Sequence, residues 1–119
     1  MALDPASPRE LHWSHGEKKT ARAAFDSALS RETVAIRKEV EALLERSDEP
    51  SAIWDVHEFL SKKRRELERK YDYRYSVLMG VFGRLLSEGW LTDADLAGLS
   101  PEKLELIHRI AGTAKELDA

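Results

Sequence analysis

The sequence predicts an all-α fold: a long helical hairpin arm, a compact helical head after it, and a second copy of the chain completing a two-fold homodimer. Three observations lead there. Of 119 residues, 34% are charged and 42% hydrophobic, with only four prolines and six glycines, the makeup of an ordered helical chain and not of a disordered or collagen-like one. Apolar residues recur at helical spacing over stretches too long for one small domain to cover. The chain has no cysteine, so packing or oligomerisation must supply what disulfides do not.

Residues 1–13 form the expected leader, with Pro5 and Pro8 among small polar neighbours. Ser14 followed by Glu17 has the spacing of a capping box that opens a helix. From there Phe25, Leu29, Thr33, Ile36, Val40 and Leu43 recur with an average step near 3.6, predicting one helix over residues 14 to 46. At 1.5 Å per residue it is about 50 Å long. Ser47 to Pro50 breaks the pattern, and Ser51 or Asp48 can cap a second helix whose stripe runs Ile53, Val56, Leu60, Arg64, Leu67, Tyr71. The expected arm is therefore 14–71 and the expected head 72–119.

The head begins with a possible bend at Asp72. Val77, Leu78, Val81, Phe82, Leu85 and Leu86 then make a segment apolar on most sides, which marks a buried central helix. Gly89 is its left-handed stop, with Trp90 and Leu91 as the hydrophobic contact that accompanies such a cap. Thr92 and Asp93 start a short helix through Leu96. Ser100, Pro101 and Glu102 open a last helix carrying Leu104, Ile107, Ile110 and Ala111.

Several function classes find no support in the residues. The net charge of −3 gives no general field for nucleic acid. No segment approaches the roughly 20 apolar residues of a membrane span, and the N-terminal stretch lacks the features of a secretory signal, so no membrane and a cytoplasmic location are expected. No metal-protease, phosphate-loop or nucleophile-elbow motif occurs. His12 and His15 lack a third ligand, and His108 stands alone. The expectation is a protein that is not an enzyme and needs no cofactor.

Two features of the second helix remain. The segment Lys62 to Arg74 holds seven basic residues against Glu66, Glu68 and Asp72. That makes a helical nucleic-acid binder one reading, although pairs four residues apart can neutralise much of the charge. On a helical wheel with Ile53 at zero, Arg64 falls within about 20° of the apolar stripe, His57 about 40° away and Trp54 about 100° away. An unpaired buried guanidinium is costly, so Arg64 must reach water, Glu68 of its own helix, or Glu58, Asp55 or Trp54 of a second chain. A polar group in such a seam can fix register and partner choice.

The block IWDVHEFLSKKRRELERKYDYRYSVLMGVFGRLLSEG, residues 53–89, resembles the fluorescence recovery protein family of cyanobacteria. It shares the patterns W-x-x-H-[DE]-F-L-S-x-K-R, K-Y-D-x-R-x-S-V and V-F-x-x-L-L-x-E-G, and weaker similarity extends to Arg31 and Glu32. The resemblance implies an all-α homodimer without enzymatic chemistry. It implies a photoprotection regulator that binds the C-terminal domain of photoactivated orange carotenoid protein and hastens its return to the orange form, ending quenching.

By the same resemblance, Trp54, His57, Glu58 and Arg64 occupy the family's functional cluster in the arm, at or near the dimer interface. Phe59, Lys63, Leu67 and Tyr71 join them as partner-binding or interface residues. Glu58 stands where cyanobacterial members carry an aspartate. In the head, Gly80 replaces an expected bulky aromatic and Leu106 an expected basic residue, at positions where the resemblance places partner contacts. The alternative expectation is a related dimeric module acting on a different protein partner.

Overall fold

The computed structural model describes residues 12–118, with side chains through residue 116. Residues 1–11 of the expected leader lie outside the described residues. The described residues form four α-helices and one short 3-10 turn: α1 (His15–Glu45), α2 (Ala52–Lys70), α3 (Leu78–Glu88), the 3-10 turn (Asp93–Leu96) and α4 (Pro101–Asp118). Together they span 65 × 26 × 25 Å. The long dimension is the hairpin of α1 and α2.

The capping box forms as the spacing predicts. Glu17 N donates to Ser14 Oγ at 3.1 Å, and Ser14 N donates to Glu17 Oε1 at 3.0 Å. Helix α1 stops before Pro50, where the Ser47 hydroxyl accepts from Glu49 N at 3.2 Å. Ser51 does occupy the cap position of α2, but its side chain makes no capping bond. Its φ and ψ of −67° and −13° are helical, whereas a capping hydroxyl needs an extended residue behind it. Tight three-residue turns begin α2 instead, with Ala52 N donating to Glu49 O at 2.9 Å and Trp54 N to Ser51 O at 3.0 Å.

Helix α2 ends at Lys70, and residues 71–77 run as a linker before α3. Gly89 takes φ +86°, the left-handed conformation that a residue without Cβ adopts freely. Trp90 N then reaches Leu85 O at 2.9 Å, closing the helix end.

The core sits where α3 and α4 pack together under the first half of α1. Leu78, Phe82, Leu85, Leu96 and Ile107 are fully buried. Each such side chain contributes roughly 1.5–3 kcal/mol of apolar burial. Ala21, Ala24, Phe25 and Ala28 line the facing side of α1, and three alanines let the helix approach closely. At Gly83 an added Cβ would lie 2.7 Å from Ile110 Cβ, so this glycine sets the α3 to α4 spacing. Trp13, assigned from sequence to the leader, is buried and belongs to this core. The core therefore draws on residues from both sides of position 72.

Beyond residue 32 the arm is different. No residue from 33 to 51 is buried, and Val34 and Leu44 are exposed. Thr33, expected on the apolar stripe, is exposed and turns its hydroxyl back to Leu29 O at 2.7 Å, the local bond that lets a threonine sit in a helix.

Candidate functional site

Helix α2 has three sides, and each follows from its bearing on the wheel. Ala52 and Val56 are buried against α1, with Phe59, Lys63 and Leu67 half-buried below them and Lys70 buried at the base. The second side carries Ile53 (53% exposed) and Leu60 (42% exposed), with His57 and Arg64 between and beside them. Trp54, 69% exposed, flanks that side and meets the His57 ring edge-on at 6.3 Å. A third side, carrying Glu58, Lys62, Arg65 and Arg69, faces solvent.

The predicted stripe Ile53, Val56, Leu60, Arg64, Leu67, Tyr71 is thus divided between two sides. Within one chain only Val56 of that set is buried; Leu67 and Tyr71 are partly covered, and Ile53, Leu60 and Arg64 are open. The Arg64 side chain is 83% exposed and bonds Glu68 at 3.2 Å, one of the partners the spacing allows. Lys63 approaches Glu66 at 3.6 Å and lies over the Phe59 ring at 5.7 Å. Ile53, Trp54 and Leu60 are thus large apolar side chains left exposed beside Arg64.

Tyr71 stands apart from this surface. Its hydroxyl donates to Glu32 Oε1 at 2.8 Å, and its ring packs edge-on to Phe25 at 5.4 Å. Lys70 Nζ meets Glu32 Oε1 and Glu88 Oε1, each at 2.7 Å. Arg84 Nε donates to Glu88 Oε2 at 2.8 Å, and Trp90 Nε1 to Glu88 Oε1 at 3.2 Å. Beside this cluster, Arg31 forks onto Asp95 at 2.8 and 3.1 Å and donates to Trp90 O at 2.9 Å. These bonds fasten α1 to the base of α2, the end of α3 and the 3-10 turn.

The electrostatics fit that role. Burial and the Glu32 carboxylate together push the Tyr71 hydroxyl far above its ordinary range, so it stays a donor. Burial would raise Glu88, but the bonds from Lys70 and Arg84 outweigh it and hold it below its usual range. The Arg31 fork lowers Asp95 to about 2.

A second buried pair closes the other end of the head. Lys103 Nζ meets Glu17 at 3.1 Å, lies over the Trp13 ring at 4.9 Å, and donates to His12 O. Glu17 also accepts from Ser100 N at 2.9 Å. The bond from Ser14 N, with those from Ser100 N and Lys103, overcomes burial and lowers Glu17 to about 2.

Sequence reasoning named Tyr71 but missed Lys70, Glu88 and the Glu17 to Lys103 pair. A signal for Lys70 was present: it lies 18 residues, five full turns, after Ala52 and so shares the bearing that faces α1. Of the head positions, Gly80 is exposed on α3 with open space where a Cβ would point, and Leu106 is partly buried on α4. The structure does not bring them into the arm surface. Among the described residues no group of three or more His, Asp or Glu is placed to hold a metal. No described helix is long and apolar enough to cross a membrane.

What this fold defines, among the described residues, is an all-helical protein whose long α1 and α2 carry exposed apolar side chains beyond the packed head. The chain matches, over residues 13–111, the family described as photoprotection regulator fluorescence recovery protein, and it belongs to that family. It is 36% identical over 102 residues to the fluorescence recovery protein of Synechocystis sp., covering 86% of this chain and 94% of that one. The fold is similar to the solved fluorescence recovery protein of Fremyella diplosiphon, with a TM-score of 0.76 and 42% identity, covering 84% of this chain and 98% of that one. The solved Synechocystis protein gives 0.77 at 36% identity with the same coverage.

Proposed function

We propose that this chain is a photoprotection regulator that works by binding alone, as a two-fold dimer joined through its arms. In that role it binds the C-terminal domain of photoactivated orange carotenoid protein and hastens its return to the orange form. The observation that carries the reading is the open side of α2, where Ile53, Leu60 and Trp54 stand exposed around His57 and Arg64. A second copy of the same surface is the economical cover for it, since closed two-fold pairing is the commonest arrangement of soluble oligomers. Phe59, Lys63 and Leu67 support this surface from the α1 side, while Glu58 lies on the solvent side of α2. No bond is made or broken in this mechanism: the protein shifts its partner by gripping one conformation more tightly than the other, and the shift is limited by that difference in affinity.

The test mixes the protein with photoactivated orange carotenoid protein and follows the red-to-orange absorbance change. The expected result is a faster return, reduced at least tenfold by Arg64→Leu. An unchanged return rate with the wild-type chain overturns the assignment of this partner. Gly80 and Leu106 favour a second reading, a regulator of a different protein partner, because they remove an aromatic and a cation from the head. Restoring them with Gly80→Phe and Leu106→Lys separates the two readings: a gain of activity on orange carotenoid protein favours the second, and no change favours the first.

A further inference from the structure

Three cations on the third side of α2 lie outside both the Arg64 side and the bonds that fasten α2 to the head. Lys62, Arg65 and Arg69 are exposed, and among the described residues none of them is in an ion pair. The other cations of the helix are matched: Lys63 by Glu66 at 3.6 Å, Arg64 by Glu68 at 3.2 Å, and Lys70 by Glu32 and Glu88 at 2.7 Å. Steps of three and four residues put the three free cations on one strip about 10 Å long. From Ile53 their bearings are about 180°, 120° and 160°, about 100° or more from Arg64, with Trp54 at about 100° marking the boundary between strip and seam. Two exposed carboxylates lie near the same line toward the start of the helix, Glu58 at about 140° and Asp55 at about 200°.

We infer that this strip is a docking surface for an acidic helical segment of a partner protein. The inference rests on the reading of the chain as a binding regulator. Like charges three and four residues apart repel along a helix, and a row of carboxylates at the same pitch on another helix relieves all of the contacts at once. Two of the three are arginines, whose planar forks take a carboxylate through two parallel bonds. A nucleic acid fits less well. The chain as a whole carries −3, and the three tyrosines that follow the strip are engaged elsewhere, Tyr71 and Tyr73 on Phe25 and Tyr75 on Trp13, which leaves Trp54 as the one large exposed ring on α2. Because strip and seam point in different directions, an acidic helix docks without displacing a second copy of the chain, and a dimer offers two such sites.

The experiment titrates the full chain into a labelled glutamate-rich helical peptide of about 18 residues, roughly 27 Å long. A duplex DNA of equal length is the second probe. Fluorescence anisotropy is read at about 50 mM salt, where surface charges are only partly screened. The strip variant Lys62→Gln/Arg65→Gln/Arg69→Gln is compared with a control of equal charge loss, Lys19→Gln/Lys38→Gln/Lys115→Gln, both checked for helix content by circular dichroism. The strip variant is expected to bind the peptide about tenfold more weakly and the control less than twofold, with the duplex at least tenfold weaker than the peptide. No peptide binding by the wild type, equal binding by the strip variant, equal loss in the control, or tighter binding to the duplex each overturns the proposal. The probe is independent of the carotenoid protein assay, so the two readings fail separately.

Discussion

The head and the outer arm are built from the same kinds of residue, yet they treat those residues oppositely. In the head, Leu78, Phe82, Leu85, Leu96 and Ile107 are fully buried, and the cations Lys70 and Lys103 are buried against carboxylates. In the outer arm, Val34, Leu44, Ile53, Trp54 and Leu60 are exposed, and Arg37 and Arg64 pair only with carboxylates one turn away on the surface. The difference teaches where each property is held: the head buries its apolar and charged side chains within one chain, while the arm leaves its own open, which is the basis of the dimer proposed above.

The comparison breaks most readily in the head. Phe82→Ala is expected to destabilise the protein by about 3–5 kcal/mol, the range for a fully buried phenylalanine, measured by urea unfolding. Lys70→Ala is expected to cost about 3–5 kcal/mol by leaving the Glu32 and Glu88 carboxylates without their shared cation. The double change Lys70→Met/Glu32→Leu should restore part of that loss. If either single change cost less than 1 kcal/mol, the head would not be the seat of stability.

Acid sharpens the same contrast. Glu17 is lowered from 4.5 to about 2 and Asp95 from 3.8 to about 2 in the folded head. The unfolded chain therefore binds more protons between these values, and stability rises with pH across that window. It is fully present above about pH 4.5 and is lost as pH falls toward 2. Acid unfolding followed by tryptophan fluorescence should show this loss, and Glu17→Gln should flatten it. The smallest expected effect belongs to the arm: Arg64→Leu should leave urea stability of the head within about 0.5 kcal/mol, as expected for an exposed pair.

Much of the fold was legible because local chemistry and global packing agree there. Ser14 with Glu17 forms the capping box, Gly89 adopts the left-handed stop, and Thr92 N donates to Asp95 at 2.8 Å at the start of the 3-10 turn. These are short-range bonds, and spacing alone announces them. Ser51 misled because a residue type shows the capacity to cap but not its backbone angles. Trp13 was misplaced because burial of a single aromatic after two prolines depends on Tyr75, 62 residues away in the chain, which its ring meets at 5.1 Å.

The site was legible in part for the same reason. The wheel put Arg64, His57 and Ile53 on one side of α2, and the structure leaves that side open. It could not show that Glu32, Lys70 and Glu88 meet, since they come from three helices and periodicity relates only residues of one. Gly83 was likewise silent, for its role depends on Ile110 of another helix.

Sedimentation equilibrium at micromolar concentration tests the central claim most directly, comparing the wild type with Ile53→Asp/Leu60→Asp. The predicted result is a two-chain particle for the wild type and a folded single chain for the variant, with unchanged near-UV circular dichroism from the head. A wild type that sediments as a stable single chain, or a variant that still pairs, contradicts the account.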